Sequence, residues 1–249
     1  MTLTLTDFRK RIEYSLCQQF ASEEDARGFC ERARATNVGV ACVNPVYVRL
    51  AAGLLVKDGI DVSGNVGFPF GSHFADVKVM ETRRCVADGA TQIDVVVNVG
   101  ALRSGKDDVV LKEIGGVVDA AAGRPVKVII EAWVLNREEK ERACRLVEKA
   151  GAQMVKTTTG VRTQYLESIN PVRSGGASPG QPLRGAELED IALFREVLGP
   201  KMKIKASGGI YDLDTAFEMI RAGADQLGVS KGEQLIREFQ ARFGDRAQI

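Results

Sequence analysis

The feature that most constrains this chain is a unit that occurs three times. "CVADGATQIDVVVN", "LVEKAGAQMVKTTT" and "MIRAGADQLGVS" each carry an amphipathic segment to a Gly-Ala stop, at Gly89, Gly151 and Gly223, and then enter a short apolar run. A glycine just past a helix takes the left-handed cap conformation that residues with a Cβ resist. Each unit therefore reads as helix, stop, strand. Repeated helix–strand units in one chain build a parallel sheet with crossover helices.

Carried along the chain, this pattern predicts eight strands, near Ile12–Ser15, Val38–Val43, Val62–Gly67, Ile93–Val99, Val126–Ala132, Met154–Thr158, Lys203–Ser207 and Gln226–Ser230. Helical patterns fall at Ser22–Ala35, Pro45–Lys57, Phe74–Asp88, Asp107–Ala122, Arg137–Ala150, Ala186–Leu198, Leu213–Ala222 and Gly232–Phe243. Eight strands with following helices in 249 residues predict a single (β/α)8 TIM barrel over residues 1–249. The alternative is a doubly wound open sheet, but no G-x-G-x-x-G follows the first strand. One stretch breaks the rhythm: "NPVRSGGASPGQPLRGA", residues 170–186, is rich in Gly, Pro and Ser and has no apolar period. In a barrel it lies on the face that carries active sites. It reads either as a surface insertion or as a functional loop over the site.

Composition excludes several classes of function. A formal charge of +1 gives no electrostatic case for nucleic acid or an anionic membrane as partner. No segment approaches the roughly 18 apolar residues of a membrane helix. "MTLTLTDFRKRIEYS" has none of the features of a signal peptide. The five cysteines, Cys17, Cys30, Cys42, Cys85 and Cys144, are scattered with no C-x-x-C pair, which predicts neither zinc site nor disulfide framework and fits a reducing cytoplasm. The single histidine, His73, argues against a multi-histidine metal site and a Ser-His or Cys-His nucleophile, and its place at a helix start suits a surface or capping residue.

In a barrel, strand C-terminal ends face the site. These positions hold Cys42 and Asn44, Gly67–Phe68–Pro69, Asp94 and Asn98, Glu131 and Trp133, Lys156 and Thr158, Lys205 and Ser207, and Ser230. Two are lysines at matching places, in "MVKTTTG" and "KIKASGG". Burial and a neighbouring like charge both disfavour an ammonium, so one lysine can keep the other neutral. A neutral lysine attacks carbonyl carbon and forms a Schiff base. The competing reading is two structural lysines, each paired with a carboxylate such as Asp94 or Glu131. Asp94, in the apolar "QIDVVVN", is expected to pair with an ammonium, to relay protons, or both. "SGGI" after the seventh strand and "GVSKGE" after the eighth, which opens a helix, suit phosphate binding through free backbone N–H groups, with Lys231 adding charge or pointing to solvent. Cys42 in "GVACVNP" suits a small buried residue.

The set "ACVNPVYV", "NVGFPFG", "KVMETRRCVADGATQIDVVVNVGALRSG", "KVIIEAWVL", "MVKTTTG" and "KIKASGGI" resembles the deoxyribose-phosphate aldolase family, in the same order over roughly residues 22–232. The resemblance implies a class I aldolase on a (β/α)8 barrel that uses no metal and no cofactor. Such an enzyme cleaves 2-deoxyribose 5-phosphate to glyceraldehyde 3-phosphate and acetaldehyde. It implies Lys156 as the Schiff-base lysine, Lys205 as the second lysine that lowers its pKa, and Asp94 as part of the proton relay. Gly160, Gly208, Gly209 and Ser230 would hold phosphate, and Lys231, Cys42 and Thr158 complete the substrate-facing set. A phosphosugar or aldehyde substrate and a homo-oligomer, dimer or larger, are the partners it implies. The chain departs from the family pattern at "EYSLCQ", Glu13–Gln18, where D-H-T-L-L-K is usual, and at Gln92, where Glu is usual. It departs again at Ala132 and Trp133 after Glu131, at Lys231, and in the long loop near 170–185. The lysines are intact while substrate-facing positions differ. The expectation is a Schiff-base enzyme whose substrate can differ from deoxyribose 5-phosphate, with a related aldolase or lyase and a non-catalytic sugar-phosphate-binding barrel as alternatives.

Overall fold

The computed structural model describes residues 1–161 and 185–249. Eight parallel strands close into a barrel: β2 (Ile12–Leu16), β3 (Val40–Val43), β4 (Asp61–Val66), β5 (Gln92–Val96), β6 (Val126–Ile129), β7 (Met154–Lys156), β8 (Lys203–Ser207) and β9 (Gln226–Val229). Around it lie α2 (Glu23–Thr36), α3 (Val48–Leu55), α4 (Ala75–Ala87), α5 (Val99–Arg103), α6 (Asp107–Ala120), α7 (Arg137–Lys149), α8 (Leu188–Val197), α9 (Leu213–Arg221) and α10 (Gly232–Phe243). The open-sheet alternative is thereby set aside. The predicted glycine stops adopt the left-handed φ they require, +100° at Gly89, +85° at Gly151 and +114° at Gly223.

Strand ends differ from the sequence reading where the chain turns early. The fifth predicted strand stops at Ile129; Glu131 takes φ +55° and a 3-10 turn follows at Ala132–Val134. The strand predicted to reach Val99 ends at Val96, and Asn98 caps the short helix α5, its side chain accepting from the N–H of Ala101 at 3.0 Å. A further piece was not anticipated. Strand β1 (Thr2–Thr4) and helix α1 (Leu5–Arg11) precede the barrel, and β1 pairs antiparallel with β10 (Arg246–Gln248). Phe8 of α1 is fully buried, stacked on Phe239 at 4.9 Å between centroids and edge-on to Phe217 at 6.0 Å. Helix α1 covers the strand N-terminal end: Gly39, ahead of β3, donates to the Arg9 carbonyl, and Arg11 donates to the carbonyls of Ala224 and Asp225, ahead of β9. The opposite end, where the strand C-termini emerge, is left for the site.

Alternation along each strand sorts its residues. Val62, Ile93, Val95, Val126, Val128, Val155, Ile204 and Leu227 are buried in the apolar layer that includes the helices. The intervening positions face the barrel axis, and an unusual share are polar: Glu13, Ser63, Asn65, Asp94, Lys127 and Lys205 are all fully buried. Outside the barrel, a second buried pair, Lys78 of α4 and Glu113 of α6 at 2.9 Å, fastens the C-terminal end of β5. Lys78 donates to the Val96 carbonyl at 2.8 Å and Glu113 accepts from the Asn98 N–H at 2.8 Å.

The predicted loop at 170–186 and the question of whether it closes over the site lie outside the described residues, apart from Gly185 and Ala186. The N–H of Ala186 donates to the Gly208 carbonyl at 3.0 Å.

Candidate active site

Register brings the charged residues together before any side chain is considered. β5 and β6 pair Asp94 with Lys127, and β7 and β8 pair Lys156 with Lys205. Partners in a parallel ladder project to the same face, so all four side chains enter the barrel. Glu13 joins them from β2. Three ammoniums thus meet two carboxylates.

Asp94 is the hub. Its Oδ2 accepts from Lys156 Nζ at 2.8 Å and from Lys205 Nζ at 2.6 Å. Its Oδ1 accepts from Ser63 Oγ at 2.8 Å and lies 3.0 Å from Lys127 Nζ. Glu13 closes the ring, accepting from Lys127 on one oxygen and from Lys205 on the other. Room for Lys205 depends on Gly228 of β9, where a Cβ would stand 2.9 Å from Lys205 Cε.

Burial raises the pKa of Asp94, but Lys127, Lys156 and Lys205 outweigh it and hold the carboxyl well below its ordinary range. Glu13 is likewise lowered: burial and Asp94 oppose its charge, and Lys127 and Lys205 prevail. Burial opposes the ammonium of Lys156, yet Asp94, Cys42 and Glu13 push its pKa up. Lys127 is raised in the same way by Asp94 and Glu13 against burial. Lys205 goes the other way, because burial, with Lys156 and Lys127 nearby, outweighs Asp94 and Glu13. The expectation that Lys205 keeps Lys156 neutral therefore meets a different distribution, in which the weakly held proton belongs to Lys205. Both amines touch the same oxygen, Asp94 Oδ2, so a proton leaving Lys156 has a path through it to Lys205.

The three lysines differ in access. Lys127 and Lys205 are fully buried, whereas Lys156 keeps 5% of its surface accessible. Above it, Thr158 and Thr157 donate to the Ser207 carbonyl at 2.8 and 3.0 Å, so Thr158 braces the strand ends. Gly160 and Gly208 approach closely, with φ of +72° and +93°; a Cβ on Gly208 would stand 2.7 Å from Thr158 Oγ1 and 3.4 Å from Gly160 Cα. Gly209 follows at φ +77°. Ser230 and Lys231 are exposed just past β9, at the start of α10, and Lys231 Nζ sits 5.5 Å from the Tyr211 ring centroid. Glu131 accepts from Trp133 Nε1 at 2.8 Å and from the Thr159 N–H at 3.2 Å. Burial raises its pKa against those bonds and against Lys156. Cys42 is fully buried and donates to Asn65 Oδ1 at 3.4 Å.

Sequence reasoning singled out Asp94, Lys156 and Lys205, and the structure brings them into contact. It did not single out Lys127, Glu13, Ser63 or Asn65. The signal for Lys127 was present, a lone lysine in "PVKVII" like the one in "QMVKTTT". Glu13 lies in "RIEYSL", where a carboxylate beside Arg11 has an ordinary surface reading. Glu13, Cys42 and Asp94 place one potential ligand atom each within 4.8 Å of the others. Lysine ammoniums already engage all four carboxylate oxygens, so this donor set is arranged to handle protons.

Among the described residues, no helix is long and apolar enough to cross a membrane. The family model described as DeoC/LacD family aldolase matches residues 7–236. The chain is 41% identical over 228 residues to the deoxyribose-phosphate aldolase of Geobacillus sp. (strain WCH70), covering 91% of this chain and 93% of that protein. It is 40% identical over 235 residues to that of Bacillus subtilis (strain 168), covering 94% and 96%. Among solved structures, the tetrameric deoxyribose phosphate aldolase from Aeropyrum pernix superimposes with a TM-score of 0.81 at 29% identity, over 96% of this chain and 93% of that one. With a catalytic-type lysine cluster inside the barrel and likeness over nearly its whole length, the chain belongs to the DeoC/LacD family of aldolases.

Proposed function

We propose that the protein is a class I aldolase that cleaves 2-deoxyribose 5-phosphate reversibly to glyceraldehyde 3-phosphate and acetaldehyde, with Lys156 as the Schiff-base lysine. The observation that carries this reading is the contact that Lys156 and fully buried Lys205 share on Asp94 Oδ2, with Lys156 the one of the two that keeps accessible surface. Lys156 passes a proton through Asp94 to Lys205, and its free amine attacks the C1 aldehyde carbon. Loss of water gives the protonated imine. A base then takes the C3 hydroxyl proton, the C2–C3 bond breaks, and its electron pair enters the iminium to leave an enamine on Lys156. Glyceraldehyde 3-phosphate departs, C2 takes a proton through the Asp94 relay and water, and hydrolysis frees acetaldehyde. The glycine-lined surface of Gly160, Gly208 and Gly209, with Ser230 and Lys231 beyond it, is positioned to take the phosphate. Cys42 and Thr158 act on substrate indirectly, one through Asn65 and the other by bracing Ser207. A cytoplasmic, homo-oligomeric enzyme is part of the same proposal; the tetrameric relative supports the second half of it.

Trp133 favours a second reading within the same chemistry. Its indole donates to Glu131 in the turn just past β6, where it adds bulk that suits a different phosphosugar or aldehyde. The test is borohydride reduction in the presence of 2-deoxyribose 5-phosphate and, separately, acetaldehyde, followed by peptide mass analysis. An adduct on Lys156 that is absent from Lys156→Ala, with cleavage of the deoxyribose phosphate, supports the first reading. An adduct with acetaldehyde alone supports the second. No adduct with either compound overturns both.

A further inference from the structure

Cys17 has no part in the aldol chemistry, yet it is held as closely as the residues that do. It lies one residue past β2. Register pairs Ser15 with Cys42, so Cys17, two positions on, projects from the same face as a diagonal neighbour of Cys42. One amide serves both sulfurs: Asn65 Nδ2 donates to Cys17 Sγ at 3.0 Å while Asn65 Oδ1 accepts from Cys42 Sγ at 3.4 Å. Their exposure differs, Cys42 being fully buried and Cys17 partly open.

We propose that Cys17 and Cys42 form a redox-sensitive thiol pair, which hydrogen peroxide converts to a disulfide that reversibly shuts the aldolase site. The attacking sulfur is Cys17. The neighbouring Cys42 thiol, the Lys156 ammonium and the Asn65 amide hold its pKa below the ordinary thiol range against burial and Asp94, and it alone of the pair reaches solvent. Its thiolate attacks one peroxide oxygen, the O–O bond breaks, and the departing hydroxide takes a proton to leave as water. The Cys42 sulfur, losing its proton, then attacks the Cys17 sulfur and expels the sulfenic oxygen as a second water. Overall, two thiols and one peroxide become one disulfide and two waters. Closing the bond requires the chain at Cys17 to move inward, and Cys17 stands just beyond the last ladder pair of β2 and β3, Leu16 with Val43.

The link between oxidation and activity is the position of Cys42. Its sulfur lies within 4.8 Å of ligand oxygens of Glu13 and Asp94, the two carboxylates that hold the lysine cluster. Drawing that sulfur into a disulfide takes from Asn65 its bonds to both thiols and changes the field at the nucleophile.

The experiment treats the reduced protein with hydrogen peroxide and follows both peptide mass and cleavage or adduct-forming activity. A Cys17–Cys42 linked peptide is expected, appearing in step with loss of activity and reversed by dithiothreitol. Cys17→Ala is expected to be inactivated at least about tenfold more slowly than wild type, since the accessible thiolate is gone. Inactivation of Cys17→Ala at the wild-type rate, or activity loss with sulfinic acid on Cys42 and no linked peptide, overturns the proposal. The linked peptide is read by mass alone, so this outcome is independent of which aldehyde or phosphosugar the enzyme cleaves.

Discussion

Lys127→Met separates a lysine that is needed for charge balance from one that merely fills space. Lys127 is fully buried and contacts both carboxylates of the cluster. With it present, three ammoniums face two carboxylates, and burial first, then the neighbouring charges of Lys156 and Lys127, keep the proton on Lys205 weakly held. Lys127 and Lys205 approach the same two carboxylates, which places their charges about 5 Å apart; at an effective dielectric near 20 that repulsion is worth about 3 kcal/mol. Removing it lets Lys205 retain its proton and closes the acceptor that Lys156 uses. Since about 1.4 kcal/mol is tenfold in rate, kcat/KM at neutral pH is expected to fall roughly a hundredfold. The rise of activity with pH is expected to move toward alkaline values, where Lys205 again releases its proton. Stability is expected to change little. The two ammoniums that remain match the two carboxylates: Glu13 keeps Lys205, and Asp94 keeps Lys156, Lys205 and Ser63. The assay is the pH profile of cleavage and of borohydride trapping on Lys156, alongside thermal unfolding. A folded Lys127→Met protein with wild-type kcat/KM and an unmoved pH profile would refute the surplus-proton account.

Asp94→Asn does the opposite, leaving three ammoniums around one carboxylate; breaking such a buried network costs about 3–5 kcal/mol, so the melting temperature is expected to drop by roughly 6–20 °C in calorimetry. The same residue sets an acid limb. Because its folded pKa is depressed, its contribution is complete above the ordinary carboxylate value of about 4 and lost only as pH falls through the lower folded value, so Asp94→Asn is expected to show a shallower decline of stability in that acid range. Gly228→Ala puts a Cβ 2.7 Å from Ser207 Oγ and 2.9 Å from Lys205 Cε; an overpacking cost of about 1–3 kcal/mol and a fall in kcat larger than any change in KM are expected from steady-state kinetics. Gly208→Ala, at φ +93° and against Thr158, is expected to lose about 1–2 kcal/mol from backbone strain and to raise KM for a phosphorylated substrate more than for free acetaldehyde.

Much of this molecule is legible as local chemistry. A glycine that ends a helix does so through its own φ, which is why Gly89, Gly151 and Gly223 could be read without a fold and are found in the left-handed region. The strand centres were legible because a two-residue alternation of Val and Ile depends only on the pleat. Lys156, Lys205 and Asp94 stood out because a charge within such a run is costly unless it is matched. The N-terminal piece carried no such mark: β1 exists only because residues 246–248, at the far end of the chain, lie beside it, and Phe8 is core only because Phe217 and Phe239 surround it. The remaining members of the site were hidden for the same reason. Glu13 and Lys127 are 114 positions apart, and Cys17 and Asn65 are 48 apart. Each residue alone has an ordinary local reading. Closure of the barrel and the register of its strands place two carboxylates among three ammoniums, determine which lysine keeps accessible surface, and set two thiols on one amide. Local pattern says which segments become strands and which of their residues resist burial; which of those residues meet is settled by the fold, because neighbours in a barrel are chosen by register between strands far apart in the chain.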